Sequence, residues 1–313
     1  MTQYRLNTPV AFIIFNRPDL TERVFKEIAK AKPPKLLVVS DGARINRDGE
    51  AEKVAASRTI IQRVDWNCEV LTNFSSVNLG CKHRVSSGID WVFENVDEAI
   101  ILEDDCLPHP TFFKFCEEML ERYRFDQQIG MINGCNFHFG KKYNNDSYYF
   151  SKYCQIWGWA TWRDRWVADY DVSISQWPEV RRKGVIFENF NSKNDAAFWI
   201  NLFDRTYSNE INTWDYQWFL ANLLKSRLNI TPCTNLISNI GFGEFATHTS
   251  SYDILMNLPT KPIIFPLAHP PNILQFYLAD KHTNKICFNR GFKVKILSIL
   301  LRIYSRLKFI FHK

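Results

Sequence analysis

The chain has 313 residues, of which 46% are hydrophobic and 15% aromatic against 23% charged. That much apolar area offsets the ordering entropy of a full core and excludes a disordered or fibrous chain. The formal charge is +6, but nine Lys or Arg and no acid fall between Lys281 and Lys313, which leaves −3 on residues 1–280 and argues against a nucleic-acid partner for the body.

Val10–Phe15 is an apolar, β-branched and aromatic run that stops at Asn16-Arg17-Pro18, as a buried parallel strand stops at its C-terminal end. It is too short for an export signal, so none is expected. A helix should follow, with Val24, Phe25 and Ile28 on one face until Lys32-Pro33-Pro34 breaks it. Lys35–Val39 is the second strand, ending in Ser40-Asp41-Gly42. Glu50–Arg63 reads as a helix, Glu69–Asn73 as a short strand, Lys82–Glu94 as a helix, and Ala99–Leu102 as a strand running into Glu103-Asp104-Asp105. Alternating strands and helices imply an α/β fold with a mostly parallel sheet and helices on both faces, whose ligands sit beyond the carboxyl ends of the strands. Arg17, Asp41 and the three acids all fall there. From Met131 to about Glu244 aromatics cluster and the pattern suggests a second, helix-rich lobe. The eight cysteines have no CxxC or zinc spacing and read as reduced thiols in a cytosolic compartment.

Four segments could carry chemistry. Clustered carboxylates at Glu103-Asp104-Asp105 suit a hard divalent cation, Mn²⁺ or Mg²⁺, that also holds phosphate oxygens, or else form a solvated acidic turn. Asp215, between Trp214 and Trp218, is a candidate general base in an apolar neighbourhood that would raise its pKa; alternatively the two tryptophans are a core stripe with Asp215 exposed beside it. Trp157 and Trp159, around Gly158, could be sugar platforms or core. His248 in a polar loop could touch phosphate or base, or be solvated. No P-loop, GxGxxG, GxSxG or HExxH pattern is present.

In the order of these pieces, residues 8–250 resemble the GT-A glycosyltransferases, in particular the inverting N-acetylglucosaminyltransferase I type, and more loosely the family-two bacterial enzymes. The resemblance is carried by Asn16-Arg17, Val39-Ser40-Asp41, the Glu103-Asp104-Asp105 motif with Pro110-Thr111-Phe112-Phe113 after it, Trp157-Gly158-Trp159, and Trp214-Asp215-x-x-Trp218. It implies a Rossmann-like GT-A sheet with an aromatic-rich acceptor lobe. It also implies nucleotide contacts from Arg17, Asp41 and Asp104, metal contacts from Asp105 and Glu103, and Asp215 as the base. Trp157, Trp159 and Trp214 would meet the acceptor or donor sugar, and Thr247 and His248 would lie near a loop over the diphosphate. The segment Asn78–Gly88 is similar to the N-x-G region of family-two enzymes and adds Lys82 to the nucleotide contacts.

Residues 290–313 read as a basic amphipathic helix, with Lys295, Arg302, Arg306 and Lys313 within about 40° of one another, suited to an anionic membrane face or to docking on protein. The expected organisation is a nucleotide-sugar-binding half, 1–130, an acceptor and catalytic half, 131–250, a connecting segment, 251–289, and the tail, 290–313. The expected activity is metal-dependent, inverting transfer of a sugar from a UDP-linked donor to a hydroxyl of a surface or lipid-linked glycan, peripheral on the cytoplasmic face of the membrane. A nucleotide-sugar pyrophosphorylase, whose Gly-rich triphosphate loop is missing, and a non-catalytic carbohydrate-binding scaffold are the rivals.

Overall fold

A computed structural model describes residues 4–241 and 254–288. The first half follows the sequence pattern closely: β1 (Val10–Ile14), α1 (Pro18–Ala31), β2 (Lys35–Ser40), α2 (Glu50–Ile60), β3 (Glu69–Phe74), α3 (Gly80–Asn95) and β4 (Glu98–Glu103). Pro18 opens α1, where a missing N–H is harmless, and Lys32, in a left-handed conformation, closes it by donating its N–H to Ile28 O at 3.0 Å. The second half comprises β5 (Cys106–Pro108), α4 (Thr111–Tyr123), β6 (Ile129–Asn133), β7 (Tyr148–Ser151), β8 (Trp159–Trp162) and α5 (Arg163–Asp169). It continues through α6 (Trp177–Lys183), α7 (Val185–Glu188), α8 (Lys193–Tyr207), α9 (Asp215–Leu224), β9 (Leu228–Pro232), β10 (Ile237–Asn239) and α10 (Tyr277–Thr283).

Eight strands form one sheet in the order β3-β2-β1-β4-β8-β6-β9-β7. The first four are parallel; β8 runs against both β4 and β6, β9 runs with β6, and β7 runs against β9. The architecture is α/β with a mostly parallel sheet, in keeping with the Rossmann-like GT-A fold expected. The chain winds outward from β1 through β2 to β3, then returns to place β4 on the other side of β1. That reversal opens a crevice at the carboxyl ends of β1 and β4, where such sheets bind ligands.

Strand alternation divides the core into two layers. Val10, Phe12, Ile14, Leu36, Val38, Ile100 and Leu102 pack with Val24, Phe25 and Ile28 of α1 and Phe112, Phe115 and Met119 of α4. Their neighbours Ala11, Ile13, Leu37, Val39, Ala99 and Ile101 face α3 and the indoles of Trp159, Trp166, Trp214 and Trp218. Each such Val, Leu or Ile contributes about 1.5–3 kcal/mol by leaving water. A third core joins Tyr153, Trp177, Trp199 and Phe203 to Phe219, Leu220 and Leu223. Helix α9 serves two of these cores, Trp214 and Trp218 in one and Phe219 in the other, which fixes its N-terminus firmly over the crevice.

The segment read as a helix-rich lobe does hold α5–α9, but it also sends β6, β7, β8 and β9 into the main sheet, and residue 130 falls inside β6. These strands are only four or five residues long, and a run such as Trp159-Ala160-Thr161-Trp162 has no period that separates strand from helix. No helix among the described residues is long and apolar enough to cross a membrane. Thr247, His248 and the tail 290–313 lie outside the described residues.

Candidate active site

A cleft of about 460 Å³ opens at this crevice, lined by the ends of β1, β2 and β4, the start of α3, the segment Asn212–Asp215 and Gly241. Beyond β1, Arg17 spans two carboxylates of the β4 end. One guanidinium nitrogen pairs with Asp104 Oδ1, and the other donates to Asp105 Oδ2 at 2.9 Å. Asp104 is buried, and its second oxygen accepts the Phe15 N–H at 3.0 Å, so Asp104 ties the β1 end to the β4 end. Asp105 remains partly exposed in the cleft. Burial, followed by the charges of Asp105 and Asp104, raises the Glu103 carboxyl well above the usual range; Arg17 opposes this and Asp215 adds to it.

Asp215 lines the same cleft as the first residue of α9, where helix amides favour a carboxylate. Its Oδ1 accepts from Thr213 Oγ1. Burial, then the charges of Glu103, Asp215, Asp105 and Asp41, push the intervening Cys81 thiol up to about 12, which keeps it protonated and not nucleophilic. The structure therefore brings Arg17, Glu103, Asp104, Asp105, Trp157, Trp214 and Asp215 to one cleft. Trp214 is buried, with its indole stacked on Trp159 at 5.8 Å, so the core-stripe reading of Trp214 and Trp218 and the cleft position of Asp215 hold together.

Three of the expected site residues have other partners in the structure. Asp41 lines the cleft, yet its carboxylate is saturated: Oδ1 accepts from Gly42 N and Leu79 N, both at 2.9 Å, and Oδ2 from Gly80 N and Asn78 Nδ2, both at 3.0 Å. Those four donors fill the usual acceptor positions of a carboxylate, and Asp41 caps α3 from across the chain. Lys82 is buried and donates its ammonium to Asn209 Oδ1 at 2.8 Å, away from the cleft-lining side chains. Trp159 is core, packed against Trp166, Trp214 and Trp218, whereas Trp157 is only partly buried at the cleft wall.

Several lining residues went unread in the sequence. Arg44 stands 5.7 Å from the Phe15 ring centroid and is held by Glu50, which also accepts from Asn16. Its loop has no period, and the basic residue followed by an acid six later was the one available sign. Asn78, Asn212 and Asn239 also line the cleft, and Asn239 Oδ1 accepts the Gly241 N–H at 2.9 Å. Gly241 approaches so closely that a Cβ there would lie 2.1 Å from Asp105 Oδ2. All eight cysteines are free thiols.

As ligands for a divalent cation, the hard oxygens of Asp105 and Glu103 fit by donor chemistry. No cluster of three or more His, Cys, Asp or Glu arranged to hold a metal occurs among the described residues.

No family model and no curated protein matches the chain. Among solved structures it is similar to the mannosyltransferase PcManGT from Pyrobaculum calidifontis in complex with GDP-Man and Mn²⁺. That match is 14% identical, with a TM-score of 0.38 over 54% of this chain and 49% of that one. It is also similar to a UDP-glucose pyrophosphorylase complexed with UDP-glucose, 12% identical, with a TM-score of 0.35 over 72% and 90% of the two chains. The chain thus spans about half the length of the mannosyltransferase.

Proposed function

We propose that the chain is a nucleotide-sugar-dependent, inverting glycosyltransferase that moves a sugar from a UDP-linked donor to a hydroxyl of a glycan or lipid-linked acceptor. The observation that carries this reading is one cleft, at the switch point of the sheet, lined both by Asp215 on a helix N-terminus and by the Asp105–Arg17 pair.

The base end of the donor would lie against Phe15, Arg44 and Asn78, with the guanidinium over the ring offering a stacking surface. Arg17 would bind the diphosphate, and Trp157 with Asn212 would border the sugar. Asp215 takes the proton of the acceptor hydroxyl as that oxygen bonds to the anomeric carbon, and the bond from carbon to diphosphate oxygen breaks on the opposite side, inverting the centre. Asp105 and Glu103 would hold a divalent cation, which would supply Lewis-acid stabilisation to the departing nucleoside diphosphate. The basic amphipathic tail would bring this body to an anionic cytoplasmic membrane face; deleting 290–313 should abolish co-sedimentation with anionic liposomes.

Calorimetric titration with UDP, with and without Mn²⁺, tests the site before an acceptor is known. Binding that needs Mn²⁺ and disappears in Asp105→Ala supports the reading. Asp215→Asn should keep UDP affinity within about twofold and lower transfer by about 10²–10⁴-fold, the usual share of a general base. Absence of binding to UDP and to other nucleoside diphosphates would overturn the reading.

A further inference from the structure

The two arms of Arg17 are not equivalent. The arm on Asp104 belongs to a buried clamp, because that carboxylate also accepts the Phe15 N–H. The arm on Asp105 meets a partly exposed carboxylate whose other oxygen, among the described residues, has only the weak Cys106 thiol at 3.5 Å. It is therefore the arm that can be released. The other guanidinium groups at this cleft have different employment: Arg44 is bonded to Glu50, and Arg84 donates to Ser40 O at 3.2 Å and Asn73 O at 2.6 Å. Among the described residues lining the cleft, Arg17 alone directs its charge at the Glu103–Asp105 cluster.

A guanidinium and a divalent cation cannot share Asp105 Oδ2. At the roughly 3–4 Å separation that sharing would impose, a single and a double positive charge repel strongly even in a well-screened cleft. On the metal-dependent reading of the site, on which this inference rests, we propose that Arg17 is the resident counter-ion of Asp105 and that a divalent cation binds by exchange with it. Exchange requires the freed guanidinium to find another anion, and the donor's diphosphate offers two phosphate groups suited to bidentate donation. Nucleotide and cation therefore bind cooperatively, each raising the affinity of the other by the same factor.

Mn²⁺ binding to the full chain, followed by the electron paramagnetic resonance signal of free Mn²⁺, tests this without any turnover. Arg17→Gln removes the competing charge, so Mn²⁺ alone should bind about fivefold or more tightly than to wild type, within the ordinary range of couplings between sites. UDP should then improve Mn²⁺ affinity by a smaller factor in the variant than in wild type, because only the direct phosphate–metal contact is left to couple the two ligands. Because Arg17→Gln leaves Asp104 without its partner, Arg17→Lys is measured in parallel. A single ammonium keeps a charge near Asp104 but cannot span both carboxylates, so it too should tighten Mn²⁺ binding. Equal or weaker Mn²⁺ binding in the folded variants, with Asp105→Ala abolishing it in all, would overturn the exchange and leave the transferase reading standing. Absence of Mn²⁺ binding in every protein, with or without UDP, would overturn both.

Discussion

Replacing Asp41 separates a structural acid from a nucleotide-binding one. Asp41→Ala withdraws the acceptor from three backbone N–H groups, Gly42, Leu79 and Gly80, and from the Asn78 amide, all within 2.9–3.0 Å. Hydrogen bonds to a charged acceptor contribute about 1.5–3 kcal/mol each, but they are not additive here and water from the adjoining cleft can replace some of them. A loss of about 3 kcal/mol of folding stability is expected, with Asp41→Asn losing somewhat less because one oxygen is kept and the new amide opposes donors. Urea unfolding reads this as a lower midpoint at unchanged slope. The start of α3 has no side-chain cap of its own, so amide exchange at Leu79 and Gly80 should accelerate first. Stability within about 0.5 kcal/mol of wild type, the range of an ordinary surface substitution, together with lost UDP affinity would refute the capping argument and restore Asp41 to the nucleotide.

Gly241→Ala forces a methyl to within 2.1 Å of Asp105 Oδ2; calorimetry should show Mn²⁺-dependent UDP binding weakened by about tenfold or more, and unaltered binding would mean that the approach is not needed. Trp159→Ala opens a void among three indoles, those of Trp166, Trp214 and Trp218, and should cost about 3–5 kcal/mol in chemical denaturation, whereas Trp157→Ala should be mild in that assay and reduce donor-sugar affinity. His138 is buried, with its ring stacked on His282 at 4.9 Å, and burial, then His282 and Lys141, lower its pKa from 6.5 to about 4. The unfolded chain therefore binds the extra proton first, and stability falls as pH drops from about 6.5 towards 4, by up to about 3 kcal/mol from this group. His138→Gln should flatten that fall in urea midpoints measured across the window, and an identical slope in the variant would exclude His138 as its source.

The strands that build the cleft were legible because strands buried on both faces are unbroken apolar runs, and the acids and the arginine follow them directly. Their convergence also followed from winding, since β1 and β4 are neighbours only if the chain reverses after β3. What the residues touch was not legible. Asp41 and its amide partners at Leu79 and Gly80 are separated by nearly forty positions, and no local pattern distinguishes an acid that caps a distant helix from one that awaits a base. Trp157 and Trp159 diverge because Gly158 between them adopts φ +63°, which turns one indole to the cleft and the other into the core. The glycine was the visible sign, but the neighbours that leave no room for a Cβ there, Ile237 and Leu102, are both remote in sequence. Lys82 and Arg84 illustrate the same limit, as basic residues whose partners are a loop asparagine and strand-end carbonyls.

The charges in the cleft are unbalanced by construction. Glu103, Asp104, Asp105 and Asp215 converge, and Arg17 answers two of them while the α9 N-terminus supports a third. The excess negative potential is visible on neighbours that carry no charge of their own, since the Cys81 thiol is pushed up to about 12 with those carboxylates among the causes. Such a field repels a nucleoside diphosphate, and the repulsion is relieved only if positive charge arrives with it or is already present. On the proposed reading these acids would oppose donor binding, and a releasable guanidinium at Asp105 would be the feature that offsets them in the same cleft.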